Sequence, residues 1–435
     1  MRPSQAQSQA LDRSDPLSLD LLRLDRLLAT YLLSLRTNGR SPLGDAVGGA
    51  VIEDGEAEGL LAALHDAHAT PGTVPPGDSE GWISPLPELE RTRQVFGLTD
   101  VERDMLLLAL AVEIDSRYAR VVAFLNDHVA MTRPTLGLAM ALFVPAQESA
   151  RVRLLQRMVG DGPLRRFGLL QLEGEGPVTN RALRAPDTFW PRLVGIDGQR
   201  RFIPRRLLEQ PGDVLLPEPL MRRIDAVGAW LRGHPRDGAL VIVAGEPGSG
   251  RDVVARLIAA AVARSAVVVD ARHAHPEEHC AEIARECRWH DACAILRHAH
   301  VAPETFYTEC QLRLADPIVC VTEPPHDGRL LDLASRPCAE IAVPAIDGPR
   351  RLRIWQLLSR HHAVDIDASS LASRFGFGPG RVDKALTVAR TVAGAGAAGQ
   401  QEIEDVCRRM QRVQFENLAQ KLPCPFDEAD IVLPN

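Results

Sequence analysis

Residues Gly245–Asp252 read GEPGSGRD, directly after the apolar run ALVIVA, Ala239–Ala244. The pattern is that of a P-loop: a glycine, four residues, then Gly-Lys-Ser/Thr. Gly245, Gly248 and Gly250 are in place, with Ser249 between the last two, but the lysine position holds Arg251 and the hydroxyl position Asp252. In an active loop the lysine neutralises the β- and γ-phosphates and the hydroxyl ligates Mg²⁺. Arg251 keeps the charge on a bulkier, planar head. Asp252 sets an anion at a helix N-terminus, where the dipole favours it but where it repels phosphate. Of the 50 basic residues 48 are arginine, with only Lys384 and Lys421 as lysines. Arg251 follows this habit of the chain; Asp252 does not.

Strand, glycine loop and helix (Val253–Ala263) stand in the order the motif requires. Further β-rich runs follow at Ala266–Asp270, Cys293–Leu296, Ile318–Glu323 and Ala339–Pro344. Five strands alternating with helices predict a three-layer αβα domain with a parallel sheet, followed by a helical stretch over Arg350–Ala393. The third strand ends in Arg297-His298, where a nucleotide hydrolase carries Asp-Glu to hold the metal's water shell. Neither residue replaces a carboxylate.

The N-terminal half reads as helices. Residues 1–15 are polar and expected to be disordered. Leu17, Leu21, Leu24, Leu28, Tyr31 and Leu35 form one seam, which predicts a core-facing helix rather than an oligomerising coiled coil. A second helix fits Ala57–His68, and Ala69–Glu80 is a Pro- and Gly-rich linker. Thr99 with Glu102 forms a capping box ahead of the apolar run Met105–Ala111. Asp115 starts a helix carrying Tyr118, Val122 and Leu125, Thr132 and Pro134 start another through Leu142, and Gln147–Met158 is the next. A strand over Phe167–Leu172 completes a winged-helix-like pattern. Such a fold can read DNA through one helix, here assigned to Thr135–Phe143, which contains no Lys or Arg. Protein docking or a structural role is therefore the expectation for this region.

The stretch FGLTDVERDMLLLALAVEIDSRYARVVAFLND, followed by RPT and an apolar helix, resembles the N-terminal region of a bacterial AAA+ ATPase family associated with extracellular contractile injection systems. The resemblance is most specific over Phe96–Leu142 and continues through the core. PAIDGPRRLRIWQLL resembles the family's entry to the lid, and RFGFGPGRVDKAL its sensor-2 region, with Arg381 as the sensor arginine. The resemblance implies Arg297-His298 as a degenerate Walker B pair and Thr322 as the sensor-1 residue. It implies Arg336, just ahead of the fifth strand, as an arginine finger acting on a neighbouring subunit. The implied divisions are 1–80 (disordered start, helices and linker), 81–205 (winged-helix-like), 206–345 (degenerate AAA+ P-loop core), 346–415 (helical lid) and 416–435 (a linker). In the family a segment like FDEADIVLP opens a second, intact module. This implies a missing module, downstream or on another chain.

Composition bounds the rest. A net charge of −7 and a pI near 6.0 argue against a general nucleic-acid or membrane-surface binder. There is no apolar run of about 18 residues to span a membrane, and the polar N-terminus, with Asp12 and Asp15, is not a signal peptide. The eight cysteines form no CxxC pair, as expected of a cytoplasmic protein with reduced thiols. RHAH occurs twice, at Arg272–His275 and Arg297–His300. Solvated loop histidines are the default reading and a zinc site with His279, Cys280, His290 and Cys293 the sharper one. The expected function is a non-hydrolysing assembly or regulatory module of an AAA+ machine, linked to a contractile injection system. The alternatives are an ATPase with an unorthodox site and a DNA-binding regulator. Expected partners are AAA+ subunits in a ring, or an AAA+ module on another chain, and a protein client or injection-system component. Membrane and nucleic acid are not expected partners. Any ATP or ADP is expected to bind weakly, through loop amides and without Mg²⁺.

Overall fold

The computed structural model describes residues 16–37, 54–68, 81–144, 148–195, 205–207, 216–233, 238–263, 265–273, 276–323, 328–393 and 399–416. The linker 69–80 and the segment 417–435 lie outside the described residues. The N-terminal half contains α1 (Pro16–Thr37), α2 (Asp54–His68), α3 (Pro87–Phe96), α4 (Asp100–Ile114), α5 (Ser116–Leu125), α6 (Leu136–Phe143), α7 (Glu148–Val159) and α8 (Pro163–Arg166). The hairpin β1 (Gln171–Glu173) and β2 (Ala182–Arg184) and the short α9 (Trp190–Leu193) complete it.

The core follows as β3 (Arg205–Leu207), α10 (Glu218–Gly233), β4 (Leu240–Gly245), α11 (Arg251–Ala260), β5 (Ser265–Asp270), α12 (Pro276–His290), β6 (Ala292–Arg297), α13 (Glu304–Arg313), β7 (Ile318–Thr322), α14 (Arg329–Asp332) and β8 (Cys338–Val343). Its sheet runs β3-β5-β6-β7-β4-β8, with β4 to β8 parallel and β3 an antiparallel edge. The edge strand β3 is an addition to the five expected strands. Four helices form the lid: α15 (Gly348–His361), α16 (Ala368–Arg374), α17 (Pro379–Ala393) and α18 (Gln400–Glu416). The architecture is a winged-helix region, a three-layer αβα core with a parallel sheet and a helical lid.

Strand alternation sorts the core into two faces. Leu240, Ile242, Val267, Val269, Ala294 and Leu296 share one cluster with α12, α13 and the N-terminal helices. Their neighbours Val241, Val243, Val268 and Ile295 pack with α10 and α11 on the other face. The lid keeps its own core around Trp355, Phe377 and Leu386.

Local signals set the helix starts. Thr99 caps α4 and Glu102 returns to the Thr99 amide at 2.9 Å, an arrangement worth about 1 kcal/mol. Met105–Ala111 is buried all round, making α4 the central helix. α1 lies against α2 and α4, as a core-facing seam requires. Its polar residues are buried too: Arg23 bonds Asp104, while Asp25 accepts from the Tyr118 hydroxyl at 2.5 Å and faces His68 Nδ1 at 2.8 Å. Such paired buried charges fix a unique docking more than they add stability.

Two N-terminal expectations change. α6 starts at its cap, Thr135, rather than at Thr132. More consequentially, none of its residues is exposed, so it is not the surface helix of the winged-helix pattern. The second helix of the pair is α7, with Arg151, Val152 and Arg153 on the surface; in helix-turn-helix folds the second helix is the one that reads.

The helix α12 joins the two halves. Its Trp289, 5% exposed, packs on Phe96 and Phe189 and under the guanidinium groups of Arg91 and Arg192. Arg285 donates to the carbonyl of Gly168 and the hydroxyl of Thr188, both at 2.9 Å, and Arg288 to the carbonyl of Val95 at 3.0 Å. Trp289→Ala should cost about 3–5 kcal/mol and split the urea unfolding curve into two transitions as the halves uncouple. A single transition at the unaltered midpoint would contradict this joint.

Candidate functional site

Ligands of open parallel sheets bind beyond the carboxyl ends of the strands, where the chain order reverses. β4 stands at that point, between β7 and β8. Its last residue, Gly245, opens the glycine loop that ends at α11. Gly248 and Gly250 hold φ of 86° and 101°, a conformation that side chains with a Cβ resist. The lid closes directly on this loop: a Cβ at Gly378 would collide with the carbonyl oxygen of Gly248.

The unexpected residues at the loop are paired with one another. Arg297 Nε, at the end of β6, donates to Asp252 Oδ1, in the first turn of α11, at 2.8 Å. Arg251 Nη2 donates to Glu323 Oε1 at 2.9 Å and Nη1 to the Thr322 carbonyl at 2.5 Å. Burial pushes the Glu323 carboxyl up, but the hydrogen bond and charge of Arg251 outweigh it and hold the group below the usual carboxylate range. His298 Nδ1 stands 3.7 Å from Glu323 Oε1, and the Glu323 amide donates to His300 Nδ1 at 3.3 Å. His298 itself takes a left-handed backbone, φ 54°.

Asp252 stands at the position that the P-loop pattern gives to a hydroxyl, and the resemblance would put Arg297 at the position of a metal-holding carboxylate. Mg²⁺ demands oxygen ligands in octahedral geometry. Of the two carboxylates on the loop, Glu246 is exposed and Asp252 already accepts from Arg297, which itself offers only donors. The residues present do not fit Mg²⁺.

Around this pairing lies a cavity of about 380 Å³. Gly248, Gly250, Arg251, Asp252 and Arg297 line it, together with Arg381 of α17. Thr322 closes β7 as expected, fully buried, and its hydroxyl has no hydrogen-bond partner among the described residues. Ser249 is buried in the loop, and its hydroxyl likewise has none. Glu323, Arg256 and Gly378 were not singled out from the sequence. Glu323 follows the fourth strand directly, and Gly378 stands within GFGPG, so each carried a positional signal.

Arg336 departs from its assigned role. Its guanidinium turns inward, donating to the carbonyls of Gly238 (2.9 Å), Gln311 and Leu314. Burial lowers its pKa. A head spent on three carbonyls of its own chain is not extended toward a neighbouring subunit, so the finger assignment is withdrawn. The backbones of the two histidine repeats lie side by side, after neighbouring strands. β5 and β6 are neighbours and Asp270 lies opposite Arg297. Arg272, however, bonds Asp270 and holds its carboxyl down to about 2. His290 turns to Glu286, Cys280 and Cys293 are buried, and His275 lies outside the described residues. Among the described residues no group of three or more His, Cys, Asp or Glu is arranged to hold a metal ion. Nor is any described helix long and apolar enough to cross a membrane.

Comparison with known proteins agrees on the N-terminal half. Residues 80–199 match the family model described as a winged helix domain, variant. No curated protein sequence matches the chain. Among solved structures, one concerned with katanin self-assembly is similar, at 13% identity and a TM-score of 0.36, over 47% of this chain and 87% of that one.

The inward turn of Arg336 has a measurable consequence. Arg336→Ala strands three carbonyls and should cost about 3 kcal/mol, read as a lower midpoint in urea unfolding. A midpoint unchanged from the parent would return Arg336 to the surface.

Proposed function

We propose that this chain is a degenerate AAA+ module that does not hydrolyse nucleotide and serves assembly or regulation within a larger AAA+ machine. One observation carries the reading: the pairs Asp252–Arg297 and Arg251–Glu323 stand where an active site would hold its metal ion and position the attacking water. Phosphoryl transfer depends on positioned cations and a positioned water, and loss of parts that act as a unit costs orders of magnitude in rate. The resemblance over Phe96–Leu142 supports a machine linked to a contractile injection system, in which this chain would sit in a ring with AAA+ subunits or beside an active module on another chain. The winged-helix region, fixed by α12, would dock the protein client.

Purified protein with ATP and Mg²⁺ should release phosphate at under about 0.01 per minute. Turnover near one per second (about 10³-fold or more above that bound) that disappears in Arg251→Ala would defeat the reading.

A second reading, a nucleic-acid-binding regulator, is favoured by the exposed Arg151 and Arg153 on α7. If it holds, the protein should shift the fluorescence anisotropy of a labelled duplex at about 50 mM salt and lose affinity steeply as salt rises. The double variant R151A/R153A should lose the shift. Absence of any shift at low salt removes this reading and leaves α7 as a protein-facing surface.

A further inference from the structure

In a chain of net charge −7 the cavity at the glycine loop is lined by four arginines, Arg251, Arg256, Arg297 and Arg381, against one carboxylate, Asp252. These cations come from three separate elements: α11, the end of β6 and the first turn of α17. Nothing in local sequence requires their convergence. At about 380 Å³ the space falls within the range of small-molecule sites, roughly 300–1,000 Å³. The glycines Gly248, Gly250 and Gly380 bring bare backbone to its wall, and the first amides of α11 have no intrahelical acceptor. Between the two loop glycines the buried Ser249 hydroxyl has no partner among the described residues. Guanidinium groups bind phosphate oxygens in a planar, bidentate geometry. Asp252, half exposed, is held by one hydrogen bond to Arg297. That arginine has further N–H groups to offer.

We propose that this cavity binds a diphosphate-bearing anion without a metal ion, with Arg297 supplying the positive charge that Mg²⁺ supplies in a hydrolysing site. The inference rests on the reading of the chain as a non-hydrolysing module and gives that module a ligand. A fixed guanidinium neutralises phosphate but activates no water, so the anion is held and not cleaved. Asp252 is the counter-charge in the empty cavity, and it opposes the ligand.

Calorimetry on the full chain tests this, with inorganic pyrophosphate, ADP and adenosine as probes, each in EDTA and in Mg²⁺. Pyrophosphate and ADP should bind in EDTA, adenosine should not, and Mg²⁺ should not strengthen either anion. Arg297→Gln should weaken both about tenfold or more. Asp252→Asn should tighten both several-fold, a gain that a misfolded variant does not produce. ADP binding more than about tenfold tighter than pyrophosphate identifies a nucleotide as the source of the diphosphate; equal affinities identify the free anion. The proposal is overturned if neither anion binds in EDTA, if Mg²⁺ raises affinity tenfold, or if Asp252→Asn changes nothing. Absent binding together with absent phosphate release would leave the non-hydrolysing reading standing, whereas release of phosphate from ATP would remove that reading first.

Discussion

A parallel sheet has two apolar faces, and both must be covered. In this protein α10 and α11 cover one, and α12, α13 and the N-terminal half cover the other. Everything else follows from that demand. Because α12 must lie on the sheet, its outer side is free to carry Trp289, Arg285 and Arg288 into the winged-helix region. Because α11 must lie on the opposite face, its N-terminus is brought to the carboxyl ends of β4, β6 and β7. The two halves of the chain thereby share one continuous core.

The site obeys a second constraint, electroneutrality in a partly buried place. Unpaired charge in such surroundings is costly, so substitutions there come in compensating sets. Asp252 and Arg297 satisfy each other, as do Arg251 and Glu323. The Asp252–Arg297 pair is a third to a half exposed, and pairs of that kind add little to stability, about 0–1 kcal/mol. Asp252 alone in an otherwise intact site would repel phosphate with no replacement for the metal. Paired with Arg297, the same residue belongs to a site whose cations are built into the chain. The surrounding arginines, with Arg381 brought in by the Gly248–Gly378 approach of loop and lid, leave the cavity positive in a protein that is acidic as a whole.

Much of the fold was legible because its signals are local. Period-two and continuous apolar runs mark the five parallel strands, the Thr99–Glu102 box marks the start of α4, and the glycines of GEPGSGRD mark the loop. The departures at Arg251, Asp252, Arg297 and His298 were equally plain, since each occupies a position whose chemistry is known. Exposure was not legible. α6 and α7 both read as helices, and the apolar LGLAMALF was placed on the surface although tertiary packing encloses it. Nor does the sequence show where the Arg336 guanidinium goes: its carbonyl partners Gly238, Gln311 and Leu314 come from separate places in the chain.

The sequence by itself determined that a glycine loop joins a buried strand to a helix, and that Arg251, Asp252, Arg297 and His298 stand at and across from it. Each of those statements depends on residue types at fixed short spacings, which backbone geometry converts directly into structure. Only the tertiary structure decided that Asp252 and Arg297 form one ion pair. Asp252 and Arg297 lie 45 positions apart, and they meet because the sheet seats β6 beside β7, next to the strand from which the loop springs. Strand order is set by how the faces pack and not by any local pattern, so the ion pair could be seen only once the sheet was assembled.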